Sequence, residues 1–132
     1  MRLLFVLHKD NLDMALWEVL RLTHTRKYGL KDNLLMIEKG LDRELLKRLA
    51  YTRSVYEILF KANSLDDFRK FDWKKIYKDN YSLKPFRKEI NRIIWNSLDK
   101  PKVKLTNART QIEIIGDHVT RKILDIKHGF RE

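Results

Sequence analysis

The sequence contains no cysteine, which excludes disulfides, thiolate metal sites and cysteine nucleophiles. That absence is typical of a reducing compartment, so we expect a cytoplasmic protein. Glycine and proline are scarce, with four and two residues in 132, and no Gly-rich phosphate loop of the GxGxxG kind occurs. No apolar run approaches the roughly 20 residues of a membrane-spanning helix. The apolar start, residues 1–7, is too short for a signal peptide, so we expect no membrane partner.

Acidic residues are few compared with basic ones. Lys and Arg number 29 against 18 Asp and Glu, giving a net charge of +11 and a pI near 9.9. Residues 1–63 hold 12 cations and 8 acids, whereas residues 64–132 hold 17 and 10. A surplus of this sign concentrates phosphate near the surface, so it predicts a polyanionic partner bound mainly by the second half. The alternative is a protein-interaction subunit whose charge serves only solubility.

The first half alternates strand and helix patterns. Strands are predicted at residues 2–8, 33–38 and 51–61, and helices at 12–24 and from a capping Asp42 over Leu45, Leu46 and Leu49. Strand, helix, strand, helix, strand in some 60 residues is typical of a small ferredoxin-like α/β sandwich. We therefore predict a first domain at residues 1–63, with a fourth strand supplied from elsewhere.

The second half begins with a change in composition. Residues 63–72 carry both charge signs and no core period, which places the domain boundary there. A short strand is predicted at 80–83 and a helix at 86–98, with Pro85 in its first turn. A hairpin is predicted around Gly116-Asp117. Residues 64–132 are thus expected to form a second compact α/β domain, and the whole chain an α+β fold.

The basic segment, residues 100–109, lies directly before a predicted strand. It holds Lys100, Lys102, Lys104 and Arg109. If the segment is extended, Lys102 and Lys104 share one face and can contact successive phosphates, while Val103 and Leu105 face the core. The alternative is a sheet edge that lysine protects against aggregation.

A helical projection of residues 86–98 separates two sides. Lys88, Arg92 and Trp95 fall together, opposite an apolar side made of Phe86, Ile90, Ile93, Ile94 and Leu98. An aromatic ring flanked by cations suits a single-stranded nucleotide, because the base stacks and the phosphates pair. The alternative is that Trp95 is buried against the first domain and the cations are only solvated.

The sequence shows no convincing active site. Its four histidines have no metal-ligand spacing, so no metal site is predicted. No GxSxG or equivalent nucleophile motif is present. The remaining catalytic alternative is a small nuclease in which Asp66, Asp67 and Asp72 bind Mg²⁺.

The stretch PKVKLTNARTQIEII, a turn and VTRKILDIKHGF together resemble the end of a THUMP domain, which carries the pattern P-x-V-D-L-x-N-P-x-x-x-I. Lys104 stands where that pattern has Asp, and Ala108 where it has Pro. The matching positions are Pro101, Val103, Leu105, Asn107 and Ile112. In the first half, LLFVLHKDN, DNLLMIE and RLAYTRSVYEIL resemble the N-terminal ferredoxin-like domain of archaeal tRNA guanine-N2-methyltransferases acting at position ten.

The resemblance implies a tRNA-binding module that grips the acceptor stem and single-stranded 3′ end. Methyl transfer in that family belongs to a separate Rossmann-like domain with an S-adenosylmethionine loop and a D/N-P-P-Y motif, and this chain has no Pro-Pro pair. The resemblance therefore implies that the chain is a stand-alone subunit or part of a longer protein. S-adenosylmethionine is expected only in a catalytic domain or in a separate methyltransferase subunit. Adaptors for tRNA thiolation or acetylation remain alternatives. The RNA-binding residues selected are Lys88, Arg92, Trp95, Lys102, Lys104, Arg109, Arg121 and Lys122.

Overall fold

The structure is a computed structural model that describes residues 1–40 and 42–126, so residues 127–130 of the quoted THUMP stretch lie outside the described residues. The described strands are β1 (Arg2–Leu7), β2 (Gly29–Lys31), β3 (Leu34–Glu38), β4 (Thr52–Lys61), β5 (Tyr81–Lys84), β6 (Thr110–Ile115) and β7 (His118–Asp125). The described helices are α1 (Leu12–Leu22), α2 (Arg43–Leu46), α3 (Leu65–Lys70) and α4 (Lys88–Ser97), with 3-10 turns at Lys9–Asn11 and Trp73–Lys75. The strands form a mixed sheet in the order β2-β3-β1-β4-β7-β6-β5, which confirms the predicted α+β class.

Packing divides the described chain into two units. Unit 1 comprises Met1–Ile58 and the described chain from Ile123 onward, and unit 2 comprises Leu59–Lys122. The predicted domains, 1–63 and 64–132, assigned all of β7 to the second half, whereas its last three residues belong to unit 1. The reason is that β4 and β7 are long strands that each take part in both units.

The core of unit 1 lies between the strands and α1. β1 is antiparallel to both β3 and β4, and Phe5 stands opposite Leu35 on one side and Val55 on the other. All three are fully buried, and Ala15 and Val19 of α1 pack in the same cluster. Leu4, on the opposite face of β1 from Phe5, is also buried, so both faces of the strand are covered and its sequence is a continuous apolar run.

Two features of unit 1 bear on the predictions. Asp42 caps α2 as predicted, because its side chain accepts a hydrogen bond from the Leu45 backbone at 3.1 Å. The short strand β2, in contrast, was not predicted. It pairs with β3 across a turn in which Asp32 adopts a φ of 54°, a conformation that Asp tolerates better than most residues. β2 has only three residues, all half-buried or exposed, so its sequence shows no hydrophobic alternation that would predict a strand.

The core of unit 2 is rich in aromatic rings. Residues 63–72, predicted as a domain boundary with no core period, contain α3, and Phe68 of this helix is buried against Trp73. Trp73 is almost fully buried, and its indole N–H donates to the Phe68 carbonyl at 2.8 Å. The sequence pattern did not show this because charged residues separate Phe68, Phe71 and Trp73, whose rings pack as one cluster.

The predicted strand at 80–83 and the hairpin around Gly116 are both present. β5 runs parallel to β6, and β6 runs antiparallel to β7 across a turn in which Gly116 has a φ of 62°. Pro85 lies outside α4, which begins at Lys88, so the proline does not occupy the first helical turn as predicted. No described helix has the length and apolar character needed to cross a bilayer.

Candidate nucleic-acid interface

The backbone of Tyr81 holds the basic segment against the edge of β5. The Tyr81 N–H donates to the Lys102 carbonyl at 2.9 Å, and the Lys104 N–H donates to the Tyr81 carbonyl at 2.8 Å. Tyr81 and Val103 thereby form a parallel bridge on the side of β5 that β6 leaves free. The segment is therefore extended at this point, as predicted, and both lysines are exposed.

Further hydrogen bonds fix both ends of the segment around the start of β5. The Tyr77 hydroxyl accepts from the Lys102 N–H at 3.0 Å and donates to the Asp79 carbonyl at 2.8 Å. At the other end, the Asn80 side chain accepts from the Arg109 N–H at 2.7 Å. The basic segment thus passes around β5 with its backbone tied to fixed partners, which reduces the entropy lost when its side chains bind a ligand.

The prediction that Val103 and Leu105 are buried against the core is wrong. Val103 is 38% exposed and Leu105 is 85% exposed. The single bridge at Tyr81 ends the strand-like pairing at Lys104, so the alternation does not continue to Leu105. The segment is anchored by backbone hydrogen bonds and by the buried residues Pro101 and Ala108 instead.

The register shows which cations share a side of the sheet. Paired residues on neighbouring strands point the same way, and successive residues alternate. Val103 therefore points with Tyr81, whereas Lys102 and Lys104 point to the other side, together with Lys84 of β5. Lys84 is exposed and was missed at the sequence level, because only the three-dimensional pairing reveals its side.

The same register separates the two predicted cations of β7. Arg121 stands opposite Ile112, which stands opposite Leu83, so Arg121 points to the Tyr81 side of the sheet. Lys122 then points to the side of Lys84. Arg121 and Lys122 are half-buried, and each has contacts within the protein. We call the exposed or half-buried cations on the common side the lysine face: Lys84, Lys102, Lys104 and Lys122.

α4 carries the second group of predicted residues. Ile90 and Ile94 are buried, whereas Lys88 and Arg92 are exposed and Trp95 is 43% exposed. The alternative in which Trp95 is buried is therefore not what the structure shows. We call Lys88, Arg92 and Trp95 the α4 flank.

A tyrosine links α4 to the strand that holds the basic segment. The Tyr81 hydroxyl donates to the Asn91 side chain at 2.6 Å. At about 100° per residue, Trp95 lies about 40° and Lys88 about 60° from Asn91 around the helix. Both side chains therefore emerge from the part of α4 near the β5 edge. Burial raises the pKa of Tyr81 to about 12, with a smaller contribution from Tyr77, so this hydroxyl remains a donor at neutral pH.

Arg109 lies at the end of the basic segment, directly before β6. Its guanidinium Nε is 3.9 Å from the Asp79 carboxylate, and both side chains are about two-thirds exposed. An ion pair this open contributes little to stability, so it leaves the arginine able to exchange Asp79 for a phosphate. Arg109 remains a predicted contact at the end of the basic segment.

Two of the three carboxylates of the nuclease alternative, Asp66 and Asp67, have structural partners. Asp67 accepts hydrogen bonds from the backbone N–H groups of Asn63 and Ser64, which lower the pKa of its carboxyl, and forms a capping box at the start of α3. Asp66 pairs with Arg69 one helical turn away. Among the described residues, no three His, Asp or Glu side chains lie close enough together to bind a metal ion.

Comparisons with known proteins show the fold. No protein-family model and no curated protein sequence matches this chain. Among solved structures, TrmN from Thermus thermophilus matches 95% of the chain with a TM-score of 0.68 and 12% identity. PH1313 from Pyrococcus horikoshii matches 98% with a TM-score of 0.63 and 15% identity. A 4-thiouridine synthetase solved with RNA and ATP matches 92% with a TM-score of 0.61 and 13% identity.

The chain spans only part of these proteins, namely 46% of TrmN, 56% of PH1313 and 40% of the 4-thiouridine synthetase. At such low identity the likeness concerns the fold and does not transfer individual residues. The architecture described above is thus shared, over nearly all of this chain, with about half of each protein. The chain has a THUMP-like α+β fold.

Proposed function

We propose that this chain is the tRNA-binding module of a tRNA-modifying system. The observation that carries the proposal is the basic segment, whose backbone is tied to Tyr81 and Tyr77 while Lys102 and Lys104 stay exposed. The net positive charge supports a phosphate-rich partner. The likeness to a 4-thiouridine synthetase solved with RNA favours RNA among such partners.

The lysine face supplies the sequence-independent part of binding. Each lysine that contacts a phosphate releases condensed counterions, so affinity falls as salt rises. The lysines are point charges on flexible stems, which suits phosphates along a duplex better than the reading of particular bases. We therefore assign the lysine face to the acceptor stem.

The α4 flank suits the single-stranded 3′ end. The partly exposed ring of Trp95 offers a stacking surface, and Lys88 and Arg92 supply charge beside it. Stacking of one base on such a ring contributes about 1–3 kcal/mol. Together the two surfaces would fix the end of the tRNA, and so determine how far away a catalytic domain acts. Such positioning accelerates a reaction without any catalytic group in this chain.

The THUMP resemblance specifies the proposal further. It favours an archaeal-type tRNA guanine-N2-methyltransferase acting at position ten, in the cytoplasm, over thiolation or acetylation systems. The sequence has no Gly-rich loop suited to S-adenosylmethionine, so that cofactor does not fit this chain. We assign it to a separate methyltransferase domain or subunit.

The test is direct binding of tRNA at several salt concentrations. We expect binding that weakens with salt, and weaker binding of tRNA that lacks its terminal CCA. A log–log salt slope near zero would exclude phosphate contact. Equal affinities for the two tRNAs would refute the 3′-end grip alone, and cleavage of tRNA in the presence of Mg²⁺ would favour the nuclease alternative.

A further inference from the structure

Unit 1 contains an open cleft of about 790 Å³ that shares no residue with the lysine face or the α4 flank. Its apolar lining includes Met36 and Ile58, which point to the same side of β3 and β4 and which we call the floor. Its rim is formed by the connection between α1 and β2, the start of β1 and the end of β3. A concave site of this volume, with an apolar floor and polar groups at the rim, is typical of small-ligand binding.

The rim is strongly basic. Arg2, Arg26, Lys27 and Lys39 line the cleft, and the one acidic residue beside them is Glu38. None of these four cations forms an ion pair with another described residue. Four cations outnumber one carboxylate around this concavity, so the field in the cleft favours an anion.

The loop that carries two of these cations is fixed by hydrogen bonds. The Thr23 hydroxyl donates to the Val19 carbonyl at 2.6 Å and bonds the Thr25 hydroxyl at 2.8 Å. The Thr25 N–H donates to the Leu20 carbonyl at 2.9 Å, and His24 between the two threonines has a φ of 53°. The chain is thus held at the end of α1 and again at Gly29, which pairs with Met36, so the segment that carries Arg26 and Lys27 is anchored at both ends.

Tyr28 adds an aromatic ring at the end of this loop. It is 47% exposed, lines the cleft, and directly follows Arg26 and Lys27. A ring beside cations, over an apolar floor, matches a ligand that has a flat apolar part and an anionic part. We propose that this cleft binds a nucleoside phosphate, with its base against Tyr28 and its phosphate between the rim cations. An unpaired nucleotide of an RNA chain and a free mononucleotide share this chemistry.

The experiment is a titration of the ¹⁵N-labelled chain with AMP, followed by backbone amide shifts. We expect the shifts to concentrate at residues 24–29 and 36–39. Inorganic phosphate should bind more weakly, because it leaves Tyr28 and the floor unused. No shift at these residues with millimolar AMP, or equal affinity for phosphate and AMP, overturns the proposal.

Two double variants distinguish AMP binding at the cleft from nonspecific attraction by the net positive charge. Arg26→Ala with Lys27→Ala should weaken AMP binding about tenfold, because hydrogen bonds that involve a charged group are stronger than those between neutral groups. Lys9→Ala with Lys31→Ala removes the same charge from exposed positions of unit 1 outside the cleft, and should leave AMP binding nearly unchanged. Equal losses in the two double variants would overturn the proposal. Thermal melts establish that each variant is folded.

The aromatic contact has its own pair of variants. Tyr28→Phe keeps the ring and should bind AMP as the wild type does, whereas Tyr28→Ala should weaken binding about tenfold. Identical affinities for both variants and the wild type would refute the stacking.

Competition identifies the source of the nucleotide. A single-stranded RNA oligonucleotide that displaces AMP would indicate a nucleotide within an RNA chain, whereas AMP binding that resists displacement would indicate a free mononucleotide. An acidic peptide that displaces AMP as well as the oligonucleotide does would overturn the nucleotide assignment.

The tRNA proposal can fail independently of this one. Lys102→Ala with Lys104→Ala changes the lysine face in unit 2, and should leave AMP binding to the cleft unchanged. Loss of AMP binding in that variant would contradict a separate site in unit 1.

Discussion

The Tyr81 hydroxyl donates a hydrogen bond to the Asn91 side chain at 2.6 Å, while the backbone of Tyr81 bonds both Lys102 and Lys104. One buried residue thus connects the helix that presents Trp95 with the segment that presents the two lysines. The side chain of Tyr81 holds α4 through Asn91, and its backbone holds the basic segment through Lys102 and Lys104. This division of roles allows each to be tested separately.

Tyr81→Phe should destabilise the protein by about 1–2 kcal/mol, because the Asn91 oxygen loses its donor in a partly buried position. The folded variant should bind tRNA nearly as the wild type does, since the backbone bonds to the segment remain. Denaturant unfolding and tRNA binding measure the two effects. A large loss of affinity without loss of stability would contradict the division of roles.

Tyr77→Phe should affect tRNA affinity more than stability, the reverse of Tyr81→Phe. Its hydroxyl accepts from the Lys102 N–H and donates to the Asp79 carbonyl, so its removal loosens the start of the basic segment. We expect a small change in the free energy of unfolding and a measurable loss of tRNA affinity. Affinity equal to that of the wild type would show that this hydroxyl does not position the segment.

Val103→Ala with Leu105→Ala should change stability little, although the sequence pattern predicted that both side chains face the core. Both side chains are exposed, and exposed substitutions usually alter stability by under about 0.5 kcal/mol. A thermal melt measures the difference. A loss of about 3 kcal/mol or more would show that these side chains are buried in solution, as core truncations cost that much.

The contrast between Val103 and Ile112 shows how far the sequence can be interpreted. Ile112 lies in a strand paired on both sides, so its alternation persists and its burial follows from the pattern. Val103 lies in a single bridge, where alternation sets the direction of the side chain but leaves it 38% exposed. Local pattern therefore predicted the hairpin and every described strand except the three-residue β2, whereas the position of a short paired segment depends on distant residues.

The candidate site shows the same limit. Lys102 and Lys104 could be selected from the sequence because they flank one residue. Lys84 shares their side only through pairing between strands, and Arg121 and Lys122 separate for the same reason. Trp95 could be selected, but its exposure depends on what packs against α4. The cleft beside Tyr28 was missed because its lining comes from four separate parts of the chain.

Trp95→Ala should weaken binding of full-length tRNA and leave binding of tRNA without its terminal CCA unchanged. The expected loss is about 1–3 kcal/mol if one base stacks on the ring. Trp95→Phe is the matched control, since it keeps an aromatic face, and should lose less. Equal losses for both tRNAs would place Trp95 outside the 3′-end site.

Asp67→Asn should lower stability at neutral pH but not in strong acid. Hydrogen bonds from the backbone N–H groups of Asn63 and Ser64 lower the pKa of the Asp67 carboxyl below its ordinary value of 3.8. The stabilising effect is therefore present above that value, and is lost as pH falls through the lowered pKa of the folded protein. Unfolding curves at several pH values measure it, with Asp66→Asn as the neighbouring control. A constant difference between wild type and variant at all pH values would contradict this origin.

The most direct test of the tRNA-binding account is the salt dependence of tRNA affinity in Lys102→Ala with Lys104→Ala. The matched control is Lys74→Ala with Lys75→Ala, which removes the same charge from exposed positions of unit 2 that are not part of the lysine face. We predict that the Lys102/Lys104 variant keeps wild-type stability, binds tRNA more weakly and flattens the log–log salt slope by roughly two units, one per lost phosphate contact. The control should keep a slope close to that of the wild type. Wild-type affinity and slope in the Lys102/Lys104 variant would contradict the account, and the basic segment would then be only a protected sheet edge.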